Sequence, residues 1–164
     1  MKRMSTFPAD VNPSQLAAFL RSVYASDGVV HVHKVAVDLH WDLTKLLPII
    51  DAAEMLGLVT VEKGDAKLSR EGHRMLSEKK GRIQAIGNSL SKIEPFMTAL
   101  KFKRKFTGEE VAKELSRRGI RWHHEDEVNS LIVNEVLMHW GIRAGLLDYD
   151  GSGFMVNIKD DSSS

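Results

Sequence analysis

"LGLVTVEKGDAKLSREG", residues 56–72, decides how this chain folds. Gly57 sits where a left-handed residue terminates a helix. Residues 58–62 and 66–68 then alternate as two short strands around a Lys63-Gly64-Asp65 turn, and "SREGHRML" enters another helix. A ribbon of that size is not stable alone and must stand beside other elements. The segment before it supplies them. Asn12-Pro13 is a helix start, with Asn capping free N–H groups and Pro in the first helical position. Leu16, Phe19, Leu20 and Val23 then form one apolar face, and after "ASDGVV" Val32, Val35, Ala36 and Leu39 repeat the spacing over a shorter helix. A third helix opens at Asp42 as its cap and carries Leu43, Leu46, Leu47, Ile50 and Ala53 inward. Three helices closed by a two-stranded ribbon read as a winged-helix unit, the ribbon being its wing.

The second half repeats the plan. Ile83, Ile86, Leu90, Ile93, Met97 and Leu100 make a long apolar seam that Pro95 should kink or divide. Thr107-Gly108-Glu109-Glu110 has capping-box spacing ahead of Val111 and Leu115. A long helix is expected over residues 124–144, followed by the hairpin "LLDYDGSGFMVNI" with Gly151 and Gly153 in its turn and Phe154, Val156 and Ile158 alternating behind. The expected fold is mostly α with small β-hairpins, an α+β class, arranged as tandem winged-helix-like halves. Residues 1–11 are expected to be flexible, 12–80 and 81–158 to form the two halves with a linker near 79–81, and 159–164 to be a disordered tail. The seam has near-heptad spacing, compatible equally with a homodimer and with burial inside the chain's own second half.

With 43% hydrophobic residues in 164, the chain can bury one ordinary core or two small ones. Lys45, Asp51 and Glu54 break the apolar stretches well short of the roughly 20 residues that cross a bilayer. "MKRMSTFPADVNP" lacks the apolar run of a signal peptide, so a cytoplasmic location is expected. The absence of cysteine excludes disulfides, thiolate catalysis and sulfur-ligated zinc. The net charge of +1 conceals two blocks: residues 80–121 carry eleven cations against four acids, residues 122–164 two against eight. Such blocks attract an anionic partner or neutralise each other within the fold.

Catalytic motifs are missing. There is no G-x-x-x-x-G-K-[ST] loop, no G-x-G-x-x-G after a strand and no G-x-S-x-G elbow. His31-x-His33 and His123-His124 are the close histidine groups, and without cysteine a zinc site there would need further ligands from distant segments. Asp148-x-Asp150-x-Ser152-Gly153 begins like a calcium loop, but Lys159 stands where the bidentate Glu belongs, and a hairpin turn accounts for those residues. No cofactor, metal or catalytic residue is assigned, and the chain is read as a non-enzyme.

A winged helix that reads DNA offers cationic and amide side chains from its third helix. The outward positions of that helix are read here as Thr44, Lys45, Pro48, Ile49, Asp51, Ala52 and Met55, with one cation among them. Lys45, Pro48, Ile49, Ala52 and Met55 are therefore the candidate protein-interaction surface. The alternative is nucleic-acid contact through "KFKRKF", residues 101–106, and the arginines that follow: Lys101, Lys103, Arg104, Lys105, Arg117, Arg118 and Arg121. Against it stands the reading in which Phe102 and Phe106 enter the core while the cations solvate a helix end.

"LLPIIDAAEMLGLVTVEKGDAKLSREG" (46–72) and "WGIRAGLLDYDG" (140–151) resemble the AAA-associated C-terminal domain. That domain follows the nucleotide-binding subunit of nitrate/sulfonate/taurine-type ATP-binding cassette importers and also occurs as separate small proteins. The likeness spans about residues 9–158 and is strongest over residues 48–57, at Gly64-Asp65 before Leu68 and Gly72, and at Trp140, Ala144 and Tyr149. It implies a regulatory or assembly module without an ATP site of its own, with a transporter ATPase as protein partner and a peripheral place at the membrane through that complex. No cassette precedes the first helix here, so the partner would bind in trans to a free-standing member, or the chain is a piece of a longer ATPase. The expected function is a non-catalytic regulatory or protein-interaction module; the alternative is a DNA-binding transcriptional regulator using residues 101–121.

Overall fold

A computed structural model describes residues 6–77 and 86–157. They fall into two compact units, one within Asp10–Ser89 and the other drawing on Leu90–Ser164 together with Met1–Ala9. The fold is mostly helical with two small antiparallel sheets.

In the first unit, α1 (Pro13–Ala25) opens with a complete capping box: Asn12 Oδ1 accepts the Gln15 N–H at 2.9 Å, and Gln15 Oε1 accepts the Asn12 N–H at 3.0 Å. Leu16, Phe19, Leu20 and Val23 are buried along its inner face. The chain then forms β1 (Val29–His31), α2 (Val32–Leu39), α3 (Leu43–Met55), β2 (Val59–Glu62), β3 (Asp65–Leu68) and α4 (Arg70–Ser77). β1 was not foreseen: "ASDGVV" reads as the end of the first helix, yet Val29 to His31 pair with β3 and make a three-stranded sheet of order β1-β3-β2. Three residues with only Val30 buried are too few for alternation to register. The turn between β2 and β3 is one residue shorter than expected, because Asp65 already pairs with Glu62. Lys63 and Gly64 both have positive φ (52° and 83°), the geometry of a two-residue hairpin loop. A Cβ at Gly64 would also lie 2.7 Å from His31 Nε2.

Helix α3 lacks the cap assigned to it, since Asp42 makes no side-chain capping bond. Its end follows the expectation in full. Gly57 has φ 73°, its N–H donates to Glu54 O (3.0 Å) and the Leu58 N–H to Ala53 O (2.9 Å), which is the Schellman arrangement. The buried set is Leu46, Ile49, Ile50, Ala52 and Ala53. Leu47, expected inside, is 50% exposed. The two stripes 43/46/47/50 and 46/49/50/53 have equal helical spacing, and periodicity alone does not choose between them.

The second unit holds α6 (Phe96–Ala99), α7 (Gly108–Arg117), α8 (Asp126–Val136), β4 (Leu147–Tyr149) and β5 (Phe154–Val156), with α5 (Gly87–Leu90) at the boundary. The expected helix over 124–144 begins later and changes character at Leu137–Ile142, a π-helical segment carrying buried Leu137, Trp140 and Gly141. Its start is displaced because Asn129, itself buried, turns inward and accepts the Trp122 and His123 N–H groups at 2.7 and 3.2 Å. The apolar seam is not one helix. α5 and α6 are four residues each, so the described residues offer no continuous heptad face for a coiled-coil dimer; Ile83 lies outside them. Gly145 (φ 78°) and Leu146 end the π segment as Gly57 and Leu58 end α3, with the Leu146 N–H on Gly141 O at 3.0 Å. Phe106 exchanges both backbone bonds with Phe154 (2.9 and 2.7 Å), lending the second hairpin a third strand one residue long. The linker at 79–81, Ile158 and the tail 159–164 also lie outside the described residues.

The flexible N-terminus expected over 1–11 is corrected for the part described. Phe7 is fully buried and meets Trp140 (centroids 4.8 Å) and Phe96 (5.9 Å) edge-on. Its N–H donates to Glu94 O at 2.8 Å, and its carbonyl accepts Trp122 Nε1–H at 2.7 Å. A single aromatic with two backbone bonds outweighs the polar composition around it.

Gly57→Ala should cost about 1 kcal/mol, the strain of a left-handed alanine with open space around its methyl group. Gly72→Ala should cost more, because the new Cβ would strike the Leu58 carbonyl oxygen. Urea unfolding of the two variants measures the order.

Candidate functional site

The outward face of α3 runs one step away from the expected one. Lys45 is exposed, Pro48 and Met55 are half-buried, and Ile49 and Ala52 are fully buried. The two buried residues are withdrawn from the interaction surface: they fill the core that α1 and α3 share. The stripe that meets solvent is instead Thr44, Leu47, Pro48, Asp51, Glu54 and Met55, at i, i+3, i+4, i+7, i+10 and i+11. Lys45 flanks it, with its Nζ 5.7 Å from the Trp41 ring centroid. Pro48 stands inside the helix on this face. The stripe therefore combines apolar area with two carboxylates and one cation.

The basic segment is neutralised from within its own unit. Arg104 pairs with Glu110 at 2.8 Å, Lys105 with Asp150 at 2.8 Å, Arg117 with Glu114 at 3.0 Å and Arg121 with Asp126 at 2.6 Å. Arg118 lies 3.7 Å from buried Glu94 and donates to Thr98 Oγ1, while the Glu94 carboxylate accepts the Thr98 N–H and hydroxyl, each at 2.9 Å. Of the seven cations assigned to nucleic acid, Lys101 and Lys103 are without a partner among the described residues. Phe106 is buried, stacked on Phe102 (4.7 Å) and Phe154 (5.8 Å), so these rings are packed rather than presented to bases.

Two carboxylates feel these contacts. The hydrogen bond from Arg104, then the Thr107 N–H, holds Glu110 below its usual range. Asp150 is held well below its usual range, first by the Lys105 hydrogen bond and then by the Ser152 N–H and hydroxyl. Asp150 Oδ1 also accepts the Gly153 N–H at 3.1 Å. The residues that resemble a calcium loop are thus a hairpin turn closed by a lysine.

The histidine pairs cap helices. His31 Nδ1 accepts the His33 N–H at 3.2 Å at the start of α2, and His123 Nδ1 accepts the Glu125 N–H at 3.0 Å ahead of α8. Ligand atoms of His123, His124 and Glu125 lie within 4.8 Å of one another, but the inner nitrogen of His123 is already occupied by that N–H. A cleft of about 890 Å3 between α7 and α8 is lined by Glu109, Lys113, Arg117, Asp126 and Glu127 among others. Its charges are mixed, and no histidine lines it among the described residues. No helix among the described residues is long and apolar enough to cross a membrane.

The family comparison supports the resemblance. The model of a family described as the C-terminal AAA-associated domain matches residues 33–150, well over half of the chain. No curated protein and no solved structure gives a match.

Ile49→Asp should unfold the first unit, since an unpaired carboxylate in the core costs more than about 4 kcal/mol, whereas Leu47→Asp should stay within about 1 kcal/mol. Thermal unfolding distinguishes them. Because the Asp150 carboxyl is lowered in the fold, its contribution is present above the ordinary carboxylate range near about 4 and is lost as pH falls through the lower folded value. Acidification from neutral should therefore destabilise the wild type more than Asp150→Asn, as melting curves at successive pH values will show.

Proposed function

We infer the role of this chain from its family: it belongs to the C-terminal AAA-associated domains, and we read it as a non-catalytic module that docks on and regulates a transporter ATPase. The partner is the ATPase subunit of an ATP-binding cassette importer, and the setting is cytoplasmic, at the membrane only through that complex. The first unit is read as winged-helix-like, with β2 and β3 as its wing, and it offers the partner the α3 stripe centred on Leu47, Pro48 and Met55. Binding shifts the ATPase between its states only to the extent that the module prefers one of them.

The observation that favours this reading over DNA binding is the engagement of the basic segment with acids of its own unit. A protein that holds phosphates spends free cations on them, and two lysines provide a shallow salt dependence. The α3 stripe adds Asp51 and Glu54, which repel a phosphate backbone.

Two measurements test the reading. Random duplex DNA at about 50 and 200 mM salt should show no binding that collapses with salt; strong binding at the lower concentration would overturn the reading in favour of a DNA-contacting regulator. The purified chain should co-elute with the ATPase subunit, and Leu47→Asp should weaken that complex while leaving the melting temperature close to wild type. An unchanged complex would remove α3 from the interface.

A further inference from the structure

The cleft of about 890 Å3 between α7 and α8 is open at its surface and closed at both ends. At one end the helices nearly touch, since a Cβ on Gly108 would lie 2.7 Å from that of Asn134. At the other the Arg121 guanidinium bridges them, with Nη1 on Ser116 Oγ at 2.9 Å and Nη2 on Asp126 Oδ1 at 2.6 Å. The start of α7 therefore meets the later turns of α8, and the two run antiparallel. Buried Ala112 lies in the floor, and Leu131 stands in the cleft with 65% of its surface exposed. The walls differ in charge toward the Arg121 end: α7 brings Lys113 and Arg117, and α8 brings Asp126 and Glu127. The Lys113, Arg117 and Asp126 side chains are 72, 77 and 90% exposed, so both walls face solvent.

We propose that this face binds a second copy of the chain, α7 of each copy lying across α8 of the other in a four-helix arrangement. The opposed walls select that occupant. A two-fold axis running along the cleft places α7 of one copy over α8 of the other without shifting either along the axis. Arg117 of one copy then meets Asp126 and Glu127 of the second, and the same contact is made again in return. Leu131 meets Ala112 and the methylene stem of Lys113, while Glu109 faces the Asn134 amide. The C-terminal end of each α7 also lies over the N-terminal end of an α8, where the helix dipoles attract. Lys113 and Arg117 are paired at 3.5 and 3.0 Å with Glu109 and Glu114 of their own helix, and such exposed pairs contribute little and exchange readily. Helices of ten and eleven residues are each about 15 Å long, which makes a small interface and a weak, reversible dimer. None of these residues lies on α3, so the dimer and the docking reading can succeed or fail separately.

The test is sedimentation equilibrium of the whole protein over about 5–500 µM, where a monomer–dimer equilibrium with Kd on the order of 100 µM is expected. Leu131→Asp should weaken the dimer at least about tenfold, with a melting temperature close to wild type. Arg117→Glu and Glu127→Arg should each weaken it, because each sets like charges against one another at both contacts. An equimolar mixture of those two variants, or the double variant, should restore association, which a merely structural role of either residue does not explain. Leu47→Asp should leave the dimer unchanged, and melting curves check that each variant is folded. A monomer at every concentration, a dimer that survives Leu131→Asp, or charge reversals that do not rescue one another would overturn the proposal. So would a dimer lost in Leu47→Asp, which would move the contact to α3. A monomeric wild type whose complex with the ATPase subunit is weakened by Leu131→Asp would overturn it too and assign the cleft to that partner.

Discussion

The first unit depends on a knot of hydrogen bonds between the end of α3 and the start of α4. The Leu58 carbonyl accepts the Ser69 N–H at 2.9 Å, and the Ser69 hydroxyl donates to Gly57 O at 2.6 Å while accepting the Gly72 N–H at 3.0 Å. One serine therefore caps α4 and closes the C-terminus of α3, satisfying groups that helix ends leave open. The approach is so close that residue 72 must be glycine, and the β2–β3 ribbon is the loop that this closure draws tight. β1 then pairs against β3, with the Val32 N–H on Gly64 O at 2.9 Å, so the sheet inherits its register from the same closure. The same serine places α4, against which α1 packs.

The second unit reaches a related end by other means. Helix, glycine-leucine stop and hairpin recur, but the third strand is a single residue, Phe106, and the hairpin turn is held by Asp150 and Lys105. α7 and α8 are brought together at Gly108, where a Cβ would lie 2.7 Å from that of Asn134. Polar residues inside this unit are matched rather than excluded: Glu94 finds Thr98 and Arg118, and Asn129 finds two backbone N–H groups. Buried groups with such partners set geometry at little net cost, because leaving them unmatched would cost far more.

Much of this was legible where local rules decide. Asn12-Pro13, Thr107 with Glu110, and Gly57 act through bonds to residues three to five positions away, and each behaves as its type requires. What could not be read depended on residues far apart in the chain. Which face of α3 is buried is decided by α1; the partners of Arg118 and Lys105 are 20 or more residues distant in sequence; and Phe7 matters because Trp140 exists. The candidate surface shifted for the same reason, Ile49 and Ala52 being apolar residues whose side of the helix no local signal marks.

Phe7 has a consequence for the order of assembly. It leaves the ribosome before any of its partners, and Trp122 follows 115 residues later. Residues 10–89 are thus spliced between the two pieces of another unit, in the manner of a domain inserted into its host. The inserted piece can close early, because its contacts lie within itself. The host cannot, and its nascent N-terminal segment must remain unclaimed while the insert folds around its own core.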